Sequence, residues 1–388
     1  MKKKVWITII IILCIGIIAT PIIYFATTPQ VKTEALVYGV DGIGNGPTKL
    51  TRTDDAEGMS YSFSGGFASD FDKAYPWSHM QTVKDEFDNV FVKIPKFYSK
   101  YTPNADGSCK LQISNKKLEG FSTLFIDGKG NELDYVMVGA YEATGTAERI
   151  YSKAGGFPLT GLTMDQFRVA SMSNGKGYQQ YDYLIMNIVN QLFTVEFATT
   201  DSQSIFIGYT LESISGQHTT GITDATGKDT CRMDSGSFKY RGIENVWGHK
   251  FKFVDGITFE GSLIHLSTNP EKYTTGVENL NDTYNVIGVS RVFSEGWVRG
   301  LNVDKNNSAL VYINGTVKLY IDSTYNLADY HYFGKKDNPG QVMTYGGTTT
   351  YGERAGAWCW YTDQKPTGAS TQITARLCYK PLNTFVSV

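Results

Sequence analysis

Histidine and cysteine are the first residues to test for chemistry, because both can hold a metal and the thiol is also a nucleophile. The chain has five of each. His79, His218, His249, His265 and His331 are scattered, with no two at ligand spacing on one element, so no metal centre is expected. Cys14 lies in a long apolar run, and Cys109, Cys231, Cys359 and Cys378 form no Cys-x-x-Cys pair of the kind found in zinc ribbons and redox centres. Cys359 and Cys378, which flank one expected hairpin, are the first candidates for a disulfide, with free buried thiols as the alternative. A Gly-x-Ser-x-Gly nucleophile elbow is absent, and Ser235 to Ser237 lacks the strand-to-helix setting that would make it reactive. The chain is therefore not expected to be an enzyme. Asp282, Asp304 and Asn306 offer hard oxygens in loops but not at EF-hand spacing, so no cofactor is expected, and calcium is the one ion these loops leave open.

Two further groups have the composition of either a framework or a contact surface. Residues 240–256 gather Arg241, Glu244, Asn245, Trp247 and Asp255 among glycines and aromatics. Opposite charges and an amide can close a buried network around an indole, so these five are assigned a structural role. Tyr351, Arg354, Trp358, Trp360 and Tyr361 form the second group. Trp358 and Trp360 stand two apart and share a face in a strand, which serves either core packing or a ligand platform.

The elements that must position these residues begin with a membrane signal. Lys2, Lys3 and Lys4 precede residues 5–25, a run without charge that is long enough as a helix to cross a hydrocarbon core of about 30 Å. With the lysines inside, the run reads as an uncleaved anchor that leaves the body extracytoplasmic, on a cell or virion surface. A cleaved signal peptide is the alternative, but its apolar region is shorter and ends in a small-x-small site. Lys and Arg number 36 against 38 Asp and Glu, a net charge of −2, which speaks against nucleic acid as a partner. With 25 Tyr and 40 Gly, the composition favours short strands, tight turns and amphipathic rings.

Residues 1–4 read as a basic tail, 5–25 as the anchor, 26–35 as a linker, 36–150 as a β-rich region and 151–388 as a second domain. Val90, Val92 and Ile94 alternate with Phe91 and Lys93 at strand period, ending at Pro95. Thr163 and Gln166 have capping-box spacing and predict a helix over 163–174. Leu184, Ile185, Ile188, Val189, Leu192, Phe193 and Phe197 recur at three and four and predict a helix over 181–197 that packs on a sheet. Glu196 is unfavourable for the dipole at that helix's end, so a hydrogen-bonding structural role is expected for it. After residue 199 the pattern is of short strands between Gly, Asn, Asp and Ser. Sequons at Asn281, Asn306 and Asn314 mark surface loops.

Gln166 to Arg168, Gly175 to Tyr181, Phe197 to Gln203, Tyr240 to Gly248, Val254 to Gly256, and Gly346 through Leu377 together resemble phage tail-tip and tail-fibre proteins of the C-type-lectin-like class. That class shares its fold with formylglycine-generating enzymes and with the variable proteins of diversity-generating retroelements. The resemblance spans roughly residues 36–385. It implies an α+β fold with two main helices and a twisted antiparallel sheet, presenting C-terminal loops for binding. The expected function is a membrane-anchored recognition or adhesion protein that binds a protein or glycan on another cell or virus through Tyr351, Arg354, Trp358, Trp360 and Tyr361. A structural or receptor-binding subunit of a viral or cell-surface appendage is the alternative, homo-oligomerisation is left open, and an oxidase or hydrolase ranks last.

Overall fold

The computed structural model describes residues 34–44, 49–64, 66–210, 218–226, 236–317, 327–333 and 341–381. Residues 36–388 form one compact unit. Of the described residues 35% are in strands and 15% in helices, with the sheets in a four-bladed, propeller-like arrangement. This corrects the expected α+β C-type-lectin-like fold. That expectation rested on local motifs, and local motifs do not state which strands pair.

The pairings that build the sheets are mostly distant in sequence. A four-stranded sheet runs in the order Thr51–Asp54, Val37–Ile43, Cys109–Ser114, Tyr98–Pro103. A five-stranded sheet takes Tyr178–Gln180, Leu377–Tyr379, Tyr135–Gly139, Val90–Pro95 and Gln81–Lys84, so that Gln179 stands opposite Cys378, and strands from both sides of residue 150 share it. The largest sheet orders Asn285–Ile287, Leu263–Leu266, Phe251–Glu260, Gln341–Tyr345 and Trp360–Gln364, with Ile373–Thr374 added in parallel to the start of Phe251–Glu260. Gly296–Val303 pairs with both Val311–Val317 and Tyr330–His331 in a three-stranded sheet.

Both expected helices form. The first, Met164–Met172, starts on a closed capping box: the Gln166 amide donates to Thr163 Oγ1 at 3.3 Å and the Thr163 amide to Gln166 Oε1 at 2.8 Å. The second, Tyr183–Phe197, is capped by Asp182, whose carboxylate accepts from the Ile185 amide, and it ends at Ala198 in the left-handed region. It differs from the expected one-faced helix in being buried on every side. Most of its polar residues make this tolerable by finding partners, as buried polar groups generally do, while the Thr194 hydroxyl is buried with no hydrogen-bond partner among the described residues. Asn187 donates to the Tyr183 carbonyl, Asn190 to Ala357, and Gln191 to Ala309.

Among the described residues no helix is long and apolar enough to cross a membrane. The helical anchor, the signal-anchor reading and the extracytoplasmic placement built on them thus find no support in the structure. Residues 5–25, on which that reading fell, lie outside the described residues.

Candidate functional site

The framework expected around residues 240–256 is buried, and it divides into separate networks rather than one. Arg241, in the left-handed region at φ 49°, donates from Nε to Glu196 Oε2 at 3.0 Å, from Nη2 to Glu196 Oε1, and from Nη1 to Asp72 at 2.5 Å. Burial works against the guanidinium's charge, but Glu196 more than restores it and raises its pKa. Glu196 is wholly buried, and the Tyr240 hydroxyl also donates to it at 3.0 Å. Asp255 belongs elsewhere: Arg168 grips it through Nε at 2.7 Å and Nη2 at 2.9 Å, and Gln180 donates to it at 2.8 Å.

Glu244 caps a turn, accepting from the amides of Gly221 at 2.9 Å and Thr223 at 3.0 Å. Asn245 accepts from the Phe238 amide, and Trp247 donates to the Phe206 carbonyl at 3.1 Å. Arg376, also buried, ties the block to the five-stranded sheet by donating to the carbonyls of Gly139, Glu244 and Asn245.

A further buried cluster joins Glu142, His249 and Lys252. His249 Nδ1 lies 2.5 Å from Glu142 Oε2, and Lys252 Nζ lies 3.0 Å from Oε1 while donating to the Gly248 carbonyl. Burial would raise the Glu142 pKa, yet Lys252 and His249 hold it down to about 2, and burial pushes Lys252 down to about 8. With Glu142 and His249 separated by 107 residues, no sequence spacing could have announced the cluster. Each of its side chains is at most 2% exposed, so its chemistry is that of an internal ion network.

The C-terminal group splits in two. Trp358 and Trp360 are 1% and 3% exposed, so the expected ligand platform is a piece of core. Trp360 packs edge-on against Tyr183 of the second helix, with ring centroids 5.7 Å apart. The loop before it is held from below by Asp329, whose carboxylate accepts from the Trp358 amide at 2.6 Å and from Ser202. Burial drives the Asp329 pKa well above the usual carboxylate range. Gly356 is needed here because a Cβ at that position would stand 2.2 Å from the Asp329 carboxylate.

Tyr351, Arg354 and Tyr361 do reach the surface together. Tyr351 and Arg354 sit at a single turn of 3-10 helix, Gly352–Arg354. Tyr361 points away from the core because Trp360 beside it points in. Two tyrosines that the sequence reading did not single out complete the group. The Tyr332 amide donates to the Trp360 carbonyl at 2.9 Å, and the Thr362 amide donates back to Tyr332 at 3.1 Å. That pairing sets Tyr330 and Tyr332 outward around a buried His331. Ring centroids lie 4.6 Å apart for Tyr330 and Tyr332, 4.8 Å for Tyr332 and Tyr351, and 5.9 Å for Tyr332 and Tyr361.

The Arg354 guanidinium lies 5.0 Å over the Tyr330 ring. Its bond to Tyr332 holds its pKa above the ordinary value, and burial pushes Tyr351 up to about 12, so at neutral pH the patch carries neutral phenols and the Arg354 cation, with the Glu295 carboxylate acting on Arg354, Tyr330, Tyr351 and Tyr361. Phe251 backs it from the core, 4.9 Å from Tyr351. The sequence signal that could have found the missing pair is the alternation of Tyr330, His331 and Tyr332.

Cys359 and Cys378 are free and buried, so the expected disulfide is not made. The reason is placement: Cys378 pairs with Val138 in the five-stranded sheet, while Cys359 precedes a strand of the largest sheet. Asp304 is buried and occupied, accepting from the amides of Asn306 and Asn307 and from the Tyr312 hydroxyl, while Asp282 and Asn306 are exposed. Among the described residues no three His, Cys, Asp or Glu gather as a metal site.

Compared with protein-family models the chain matches none, and compared with curated proteins it again matches none.

Proposed function

We propose that this protein is a recognition module that binds a protein or glycan through the patch of Tyr330, Tyr332, Tyr351, Tyr361 and Arg354. The observation that carries this reading is four partly exposed tyrosines, Tyr330, Tyr351 and Tyr361 each in ring contact with Tyr332, beside a surface arginine. Tyr and Arg dominate contact energy at interfaces, because a tyrosine offers a large rigid area with a polar tip and an arginine offers fixed donors. The rings are already packed on one another and on Phe251, so binding would order few rotamers and lose little entropy.

The test presents the full chain to a glycan array and, separately, to surface-immobilised candidate protein partners, with Tyr332→Ala and Arg354→Glu beside the wild type. Each substitution is expected to weaken whatever the wild type binds by at least about tenfold. Undiminished binding by both folded variants overturns the reading.

A further inference from the structure

A pocket of about 340 Å³ opens beside Gln81–Lys84, the edge strand of the five-stranded sheet. That volume lies at the small end of ligand pockets, which run from roughly 300 to 1,000 Å³. Two ion pairs line it. Arg241 Nη1 lies 2.5 Å from Asp72 and Lys239 Nζ 2.6 Å from Asp224, and the Tyr141 hydroxyl donates to the other Asp224 oxygen at 2.6 Å. All five residues belong to the pocket wall, so each charge and its partner face the same space. In both pairs the cation stands behind and the carboxylate in front: the side chains of Arg241 and Lys239 are 3% and 12% exposed, those of Asp72 and Asp224 36% and 42%. The mouth therefore presents hydrogen-bond acceptors that charged donors already hold in place.

Lys239 and Tyr141 take one position on each Asp224 oxygen, and a carboxylate offers about four, so Asp224 keeps capacity for further donors. Ser78 and Thr82 add exposed hydroxyls, and Met80 and Val90 add partly exposed apolar surface. The two cations and two carboxylates of the wall cancel. A cationic ligand would have to displace Arg241 and Lys239 from carboxylates they already neutralise, and an anionic ligand would meet those carboxylates first. A neutral ligand with many hydroxyl donors and a small apolar face meets neither penalty. Because the acceptors are fixed beforehand, binding it orders few protein side chains.

We propose that this pocket binds a neutral sugar unit, with the Asp72 and Asp224 carboxylates accepting from its hydroxyls and Arg241 and Lys239 positioning them. The pocket shares no residue with the aromatic patch, and the proposal holds whether or not that patch binds anything.

The test is saturation-transfer NMR titration of the full chain with glucose, galactose, mannose, fucose and N-acetylglucosamine, and with glucosamine and glucuronate as charged counterparts. At least one neutral sugar is expected to bind saturably and more tightly than either charged one. Asp224→Ala and Thr82→Val are expected to weaken that binding by about tenfold or more, and Asp282→Ala, at an exposed aspartate elsewhere, to leave it alone. Should Asp224→Ala fail to fold, Thr82→Val decides. Tyr332→Ala separates the two surfaces, since sugar binding lost there but kept in Asp224→Ala would lie on the aromatic patch and overturn the proposal. Absence of saturable binding by every neutral sugar, or tighter binding of glucosamine or glucuronate, overturns it as well.

Discussion

Arg241 and Arg354 are the same residue type in opposite circumstances. Arg241 is 6% exposed, lies 5.9 Å over the Phe67 ring and spends its donors on Glu196 and Asp72. Arg354 is exposed, lies 5.0 Å over the Tyr330 ring, and makes no ion pair among the described residues. In the first region charge and ring close on each other and hold the second helix to the 240–256 block. In the second the same chemistry is left open toward solvent. A cation with aromatics is thus not itself a mark of binding: burial and the presence of a carboxylate decide whether it is frame or surface.

The comparison breaks most sharply at the buried pair. Arg241→Ala leaves the Glu196 carboxylate uncompensated in the core, and chemical denaturation should show a loss of about 3–5 kcal/mol, whereas Arg354→Ala should cost about 1 kcal/mol or less. Equal losses would mean the two arginines are not the contrast described.

The aromatics give a comparable test. Trp358→Ala empties a fully packed site and should lose about 3–5 kcal/mol. Tyr351→Ala, half-buried, should lose roughly 1 kcal/mol while abolishing most ligand binding. A large binding loss with no stability loss in Trp358→Ala would return that residue to the site.

A pH effect sharpens how the patch is held. His331 is buried, with Nδ1 3.1 Å from the Ser294 carbonyl and Nε2 3.1 Å from Thr362 Oγ1. That network fits a neutral ring donating from Nδ1 and accepting at Nε2. Its folded pKa of about 4 lies below the ordinary histidine value of 6.5, so on acidification the unfolded chain takes up the proton first. Stability is therefore expected to fall from about pH 6.5 to 4, by roughly 2–3 kcal/mol from this residue. Thermal melts across that window should show a flatter dependence in His331→Gln, and an identical slope would remove His331 as the cause.

Much of the local structure was legible. The capping box at Thr163 and Gln166 placed one helix, and the apolar recurrence from Leu184 to Phe197 placed the other, because both signals lie within a few residues of chain. The assignment of Arg241 and Asp255 to structure followed from their types, but their partners Glu196 and Arg168 lie 45 and 87 residues away, beyond any spacing rule. The site was legible by half. Tyr351, Arg354 and Tyr361 reach the surface, while Trp358 and Trp360 turn inward, because residues on one face of a strand share an environment without revealing which face another element covers.

Sequence alone determined the local chemistry of this protein: which segments are helical, where turns fall, and which side chains carry rings or charge. Those properties arise from propensity, capping and periodicity within one stretch of chain. Only the tertiary structure decided the propeller-like β architecture, the free state of Cys359 and Cys378, and the meeting of Tyr330 and Tyr332 with Tyr351, Tyr361 and Arg354. Each of these depends on strand pairing across tens to hundreds of residues, and such pairing is selected by the burial of the whole core, which no single segment encodes.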